Sequence, residues 1–240
     1  MHGFYVTGTD TGIGKTHSSA ALLHALRAQG LRAVGMKPVA SGCERIDGEW
    51  KNADALALID ASDPRPAYAD CNPFALPLPL APELAARDAS IEIALPPLLA
   101  AYARLVASAD AVVVEGVGGW AAPLSSSMMQ VDLVRALDVP VVLVVGMRLG
   151  CLNHALLSAR AIAVDGVKLV GWIANAVDPA MERVEDNIAM LRERLPAPCW
   201  GVLPFDPAAD ADPRAAARHL RIPATLFPSP RWRGEGAEGG

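Results

Sequence analysis

The chain has 240 residues, a formal net charge of −5 and 52% hydrophobic residues, a size at which one α/β domain around a single core is expected. An acidic balance with no basic stripe argues against nucleic acid as a partner. The most apolar run, Val139 to Met147, is far short of the roughly 20 residues a bilayer crossing needs, and the N-terminus lacks a basic and apolar leader, so a cytoplasmic protein without a membrane partner is expected.

Phe4, Tyr5 and Val6 form a short β-prone run, and His17 to Gln29 places Ala21, Leu22, Ala25 and Leu26 at helical spacing. Between them Gly8 to Thr16 reads Gly-Thr-Asp-Thr-Gly-Ile-Gly-Lys-Thr. Strand, glycine-rich turn and helix in this order suit a phosphate-binding loop: glycines let successive N–H groups turn toward one point, and a helix N-terminus favours negative charge. Lys15 would reach the β- and γ-phosphates, and Thr16 would offer its hydroxyl to Mg²⁺. Counted back from Lys15, the first glycine of the common pattern falls at Thr9, so this is a variant; a plain turn with a solvated Lys15 is the alternative.

Leu31 to Met36 reads as a second strand, ending in Lys37-Pro38-Val39-Ala40-Ser41-Gly42. Pro38 keeps the segment extended and projects Lys37 where a parallel sheet opens, although a lysine can also snorkel from a strand end. Asp47 to Asn52 is polar and loop-like, and Ala53 to Leu58 reads as a short helix in which Asp54 is either a cap or a ligand. The proline-dense stretch Asp63 to Pro82 predicts an irregular surface excursion. Leu95 to Ser108 is an amphipathic helix, and Ala111 to Val114 a buried strand leading into Glu115-Gly-Val-Gly-Gly-Trp120. A carboxylate closing an all-apolar strand needs a partner or a metal, which makes Glu115 a candidate Mg²⁺ ligand, with a loop acid as the alternative.

Met128 to Leu137 reads as helix, Val139 to Val145 as strand, and Cys151 to about Val164 as a helix whose free N–H groups form a second candidate anion site. Leu169 to Ala174 is a strand reaching Asn175, Met181 to Leu195 a helix, and Trp200 to Leu203 a last strand before Pro204. Alternating strands and helices imply a mostly parallel sheet covered on both faces, with ligands at the carboxyl ends of the strands. Cys43, Cys71, Cys151 and Cys199 have no C-x-x-C pairing and the five histidines no i, i+4 pairing, which fits reduced thiols and structural histidines. The expected division is a domain over 1–228 and a disordered tail over 229–240.

Six motifs in order, Gly8 to Thr16, Lys37 to Gly42, Asn52-Ala-Asp54, Glu115 to Trp120, Val145 to His154 and Gly171 to Asn175, closely resemble the dethiobiotin synthetase family, over residues 4 to about 205. The resemblance implies a single-domain P-loop NTPase fold and an ATP- and Mg²⁺-dependent ligase that forms a cyclic urea from 7,8-diaminononanoate and CO₂, through a carbamate and its phosphoric anhydride. It implies that Lys37 and Lys15 are catalytic and that Thr16, Asp54 and Glu115 form the Mg²⁺ set. ATP would lie against Gly12, Ile13, Gly14, Lys15, Thr16, His17, Asp54, Glu115, Gly116, Val117 and Gly118. Its base would meet Asn175, Ala176, Pro204, Phe205 and Asp206. Thr11 and Ser41 would contact the substrate amine or carbamate, and Gly150, Cys151, Leu152 and Asn153 its distal carboxylate across the interface of a homodimer. Gly12 stands where several family members carry an acid, and the resemblance does not choose between Asp210 and Asp212 as a further nucleotide contact.

Two other classes use similar loops. Partition-type ATPases need a signature lysine where this chain has Asp10. Cobyrinate-type amidotransferases add a glutaminase domain, for which the chain after the last strand is too short.

Overall fold

The computed structural model describes residues 2–206 and 212–227. The expected tail and Asp210 lie outside them. In chain order the elements are β1 (Gly3–Gly8), α1 (Lys15–Ala28), β2 (Ala33–Met36), β3 (Val39–Ser41), β4 (Glu44–Ile46), β5 (Glu49–Lys51), α2 (Ala53–Ala61), α3 (Tyr68–Cys71) and β6 (Phe74–Leu76). Then come α4 (Pro82–Asp88), α5 (Leu95–Ser108), β7 (Ala111–Gly119), β8 (Pro123–Ser125), β9 (Met128–Met129), α6 (Gln130–Leu137) and β10 (Val141–Met147). The chain continues with α7 (Cys151–Val164), β11 (Leu169–Ala176), α8 (Val184–Arg194), β12 (Cys199–Leu203), α9 (Pro213–Ala217) and a 3₁₀ turn at Ala224–Leu226.

Six strands form one sheet in the order β12-β11-β10-β1-β7-β2, and every pairing is parallel. Parallel neighbours require crossovers, and the helices that supply them cover both faces, so the strands are continuous apolar runs. Successive side chains point to opposite faces. Phe4, Val6 and Val113 pack with Leu22, Leu26 and Leu58 of α1 and α2, whereas Tyr5, Val112 and Val114 pack with Leu98, Leu105 and Leu133 of α5 and α6. A third cluster joins Leu143, Val145 and Trp172 to Cys151 of α7 and Ile188 and Leu191 of α8.

Several expectations change in detail. The 47–52 loop is partly a hairpin, β4 pairing antiparallel with β5. The excursion at 63–82 holds α3 and a strand, β6, that pairs parallel with β3. Met128 and Met129 pair with β8 before α6 begins, and α8 starts at Val184, because Arg183 takes a left-handed φ of 54°. Short-range periodicity could not show these, since the hairpins are two or three residues a side.

One packing contact is tight enough to test. A Cβ placed on Gly171 of β11 would lie 2.2 Å from the Trp200 indole, whose ring stacks edge-on against Phe4 with centroids 5.5 Å apart. Gly171→Ala is expected to cost about 1–3 kcal/mol by overpacking, read as a lower urea midpoint. An unchanged midpoint would show that the indole shifts freely.

Candidate active site

The glycine-rich segment leaves β1 at Gly8 and enters α1 at Lys15. Gly12 and Gly14 adopt φ of 72° and 78°, where a side chain is strained. Beneath the turn, Asn175 Nδ2 at the end of β11 donates to the Ile13 carbonyl at 2.9 Å. Asp10 organises the near end. Its carboxylate accepts the Thr11 N–H at 2.7 Å and pairs with Arg148, while its carbonyl accepts Lys15 Nζ at 2.8 Å.

On the neighbouring strands the charged residues converge. Lys37, only 4% exposed, places Nζ 2.6 Å from Glu115 Oε1 and 3.0 Å from Asp54 Oδ2. Thr16 Oγ1 donates to the same Glu115 oxygen at 2.9 Å. Asp54 is not the cap of α2: Asn52 fills that position, its Oδ1 accepting the N–H groups of Asp54 and Ala55 at 3.0 and 3.3 Å, and the Asp54 carboxylate faces Lys37. Lys37 does not snorkel, and Glu115 is no surface loop acid.

The charges tune each other. Burial would strip the proton from Lys37, but Glu115 and Asp54 outweigh it and hold the ammonium above the ordinary lysine range. Burial likewise pushes Asp54 up, and Lys37 draws it net below the usual carboxylate range. At Lys15 the opposing pull of Glu115, Asp54 and Asp10 is too weak to prevail. Burial, reinforced by the Lys37 charge, lowers it to about 8. Lys15 is therefore a poorly compensated cation at the head of α1, a place where an anion would be favourable.

Six buried side-chain polar atoms have no hydrogen-bond partner among the described residues; Ser18 Oγ, Ser19 Oγ, Trp172 Nε1 and Trp200 Nε1 lie elsewhere, and Ser41 Oγ and Glu115 Oε2 lie at the site. Orphaned buried atoms of this kind ask for a ligand. Both residues line a cavity of about 950 Å³ together with Thr11, Gly12, Gly14, Lys15, Thr16, Lys37 and Asp54. Its other wall is apolar, formed by Pro79, Leu80, Val117, Ala122 and Pro123.

Of the sequence-derived residues, those just named and Gly118 share the cavity, with Ile13 and Gly116 packed behind it. His17 is half-buried on α1, its imidazole lowered by burial against the opposing pull of Asp206 and Asp212, so those two acids sit beside the loop helix. Ala176 ends β11, and Pro204 and Phe205 follow β12. Gly150, Cys151, Leu152 and Asn153 open α7 but line no part of this cavity. Sequence reasoning missed Arg148, Asn52 as a cap, and Gln130. Gln130 gave no signal, being one of several polar residues between Ser125 and Arg135.

A parallel sheet carrying a phosphate-type loop at the head of its first helix, with a lysine and two carboxylates at adjoining strand ends, defines a P-loop nucleotide-dependent enzyme. A family model described as an AAA domain matches residues 2–213. Among solved structures, a ParA family ATPase from Chlorobium tepidum TLS superposes with TM-score 0.54 at 15% identity, covering 91% of this chain and 90% of that one. The MinC:MinD complex of Aquifex aeolicus gives 0.53 at 13% identity, covering 90% and 86%. These likenesses establish the fold. A protein of Xanthomonas euvesicatoria pv. vesicatoria (strain 85-10) named ATP-dependent dethiobiotin synthetase BioD is 66% identical over 92% of this chain and 97% of its own length. One of the same name from Xylella fastidiosa (strain 9a5c) is 61% identical over 91% and 96%. The chain belongs to the ATP-dependent dethiobiotin synthetases, a family of ligases.

Proposed function

We propose that this enzyme closes the ureido ring of dethiobiotin on 7,8-diaminononanoate, using CO₂ and ATP, by way of a carbamate and a carbamic-phosphoric anhydride. The carrying observation is Lys37, buried between Glu115 and Asp54 beside the orphaned Ser41 hydroxyl, in one cavity with the phosphate-type loop. The difficulty of the reaction is negative charge crowded between a carbamate and the γ-phosphate. Preorganised donors in a water-poor cleft relieve such crowding, each contributing about 3–4 kcal/mol. Lys15 and the loop N–H groups hold the phosphates, Lys37 neutralises the transferring phosphoryl group, and Ser41 and Thr11 orient the carbamate or the second amine. The apolar wall suits the substrate's hydrocarbon chain.

The donor set fits Mg²⁺. Thr16, Asp54 and Glu115 offer hard oxygens to the cavity, and Glu115 Oε2 is left for a cation when Oε1 is taken by Lys37. Among the described residues no group of three or more His, Cys, Asp or Glu could hold a metal ion, and Mg²⁺ normally takes one or two carboxylates plus phosphate oxygens and water. When bound, the ion would neutralise phosphate charge. Glu115→Gln is expected to raise the Mg²⁺ concentration needed for half-maximal turnover, on the order of tenfold or more. An unaltered metal titration would remove Glu115 from the ligand set.

We also assign Asn175, Ala176, Pro204, Phe205 and Asp206 to the nucleotide base, and residues 1–228 to a single synthetase unit. The homodimer is supported by the absence of Gly150 to Asn153 from the lining of the cavity and by exposed apolar residues on and beside α7: Leu149 at 95%, Leu157 at 54% and Val164 at 87%. A partner copy covering that face would bring the α7 N-terminus to a substrate carboxylate. No described helix is long and apolar enough to cross a membrane, in keeping with a cytoplasmic enzyme.

The test is incorporation of labelled bicarbonate into acid-stable product by purified protein with Mg²⁺-ATP and 7,8-diaminononanoate, with phosphate release measured in parallel. Equal label and phosphate would support the ligase. Phosphate without label would leave an ATPase and sink the reading.

A further inference from the structure

Gln130 sits at the first position of α6, fully buried, and its side chain reaches away from its own helix into the end of β7. There the sheet register breaks: Val6 faces Glu115 and Gly8 faces Gly119, so two steps along β1 oppose four along β7. The surplus backbone of Gly116 to Gly119 cannot all pair with a strand. Gln130 supplies partners instead. Its Oε1 accepts the Val117 N–H at 2.9 Å, and its Nε2 donates to the carbonyls of Gly119 at 3.0 Å and Trp120 at 3.4 Å, with Thr7 Oγ1 also at 3.4 Å. One amide thus spans both ends of the bulge.

The bulge forms part of the active-site wall. Val117, Gly118 and Gly119 line the cavity, Glu115 lies two residues before Val117, and the carbonyl of the intervening Gly116 accepts Lys37 Nζ at 3.3 Å. A Cβ on Gly116 would lie 2.5 Å from Gln130 Oε1 and 2.8 Å from the Tyr5 hydroxyl, so the strand is pressed directly onto the amide. We propose that Gln130 is a positioning residue for the reaction, its carboxamide fixing the 116–119 segment so that Glu115 and Lys37 meet the cavity at the required place. The proposal rests on the functional reading above.

The amide's two ends do different work, which permits a test that mere packing would not pass. Gln130→Met keeps the volume and removes every hydrogen bond. An error of about an ångström in a catalytic group can lower turnover on the order of 100-fold, whereas ATP binding to the loop and α1 should change little. Gln130→Glu keeps the acceptor for Val117. Its second oxygen faces two carbonyls, so the carboxyl must carry a proton there to donate. A buried carboxyl so placed has a raised pKa. The other ionisable groups beside it are Tyr5 on β1, raised by burial and by Glu115, and Glu115 and Lys37 at the strand ends. Tyr5 stays neutral through the working range, and the wild type supplies the background for the other two.

With bicarbonate incorporation and phosphate release as readouts from pH 6 to 9, Gln130→Glu is expected to approach wild-type kcat at the acid end. It should then lose kcat as pH rises through an alkaline limb absent from the wild type. Gln130→Met is expected to be low in kcat at every pH with ATP affinity retained. Wild-type kcat in Gln130→Met, or no new alkaline limb in Gln130→Glu, would overturn the positioning role while leaving the ligase intact. Absence of labelled product from the wild type would overturn both.

Discussion

Lys37→Met is expected to remove turnover and to destabilise the unliganded protein in the same stroke. The loss of one preorganised donor at a developing charge typically lowers kcat by about 10²–10³-fold. The stability effect comes from what is left behind. Glu115 is 1% exposed, and removing one member of a buried ion pair strands its partner at a cost of about 3–5 kcal/mol. The raised proton affinity of Lys37 sets the pH window. Its contribution is fully present below the ordinary lysine range and is lost as pH climbs from that range through the raised value, so unfolding at pH 7 reads all of it. Lys37→Met combined with Glu115→Gln should recover most of the lost stability, since neither side then holds a bare charge, and none of the activity. If the single variant unfolds at the wild-type urea concentration, the pair carries no such burden and the buried-charge argument fails.

Gly14→Ala is expected to abolish productive nucleotide binding. Alanine at a φ of 78° costs about 1–2 kcal/mol, and its methyl would come within 2.1 Å of Asn175 Nδ2. That amide is already committed to the Ile13 carbonyl. Either the loop rises or Asn175 withdraws, and both disturb the N–H groups that turn toward phosphate. A displacement of about an ångström suffices for a 100-fold loss, measurable as ATP affinity by calorimetry. A second substitution, Asn175→Ala, weakens binding by itself through the lost base contact and the lost bond to Ile13, but it also removes the clash, so the double variant should lose less than the sum of the two single losses. Strict additivity would place the fault in the backbone alone.

Much of the fold was legible because buried parallel strands write themselves as unbroken apolar runs. Ala111 to Val114 and Val139 to Val145 gave themselves away in this manner, as did the helical spacing of Leu98, Leu105 and Val106. The short pieces were not legible. β4, β5, β8 and β9 are held by a few backbone bonds and two turns, below the length at which alternation can be read. At the site, the loop was visible through its glycines, and Lys37 and Glu115 through their placement after apolar runs. What stayed hidden depends on chain segments meeting in space. Thr16 and Glu115 are 99 residues apart, and Lys37 and Glu115 78. Gln130 is recognisable only once the register break in β7 is known, and Arg148 only once β10 lies beside β1 and brings it to Asp10.

The strand order has a consequence for how the enzyme comes into being. β1 is central, with β7 and β2 on one side and β10, β11 and β12 on the other. The polar residues that line the cavity between the strand ends, Lys15, Thr16, Lys37, Ser41, Asp54 and Glu115, belong to the half of the chain that leaves the ribosome first. During synthesis, at about 5–20 residues per second, that half waits several seconds with the open edge of β1 exposed. Only β10 can seal this edge, and it carries Arg148 to Asp10 as it docks. The last strands to arrive bring no acid or lysine of the central cluster. A nascent chain stalled near residue 138 would hold the chemical groups and lack their support, and it would present an unpaired central strand for chaperones to protect.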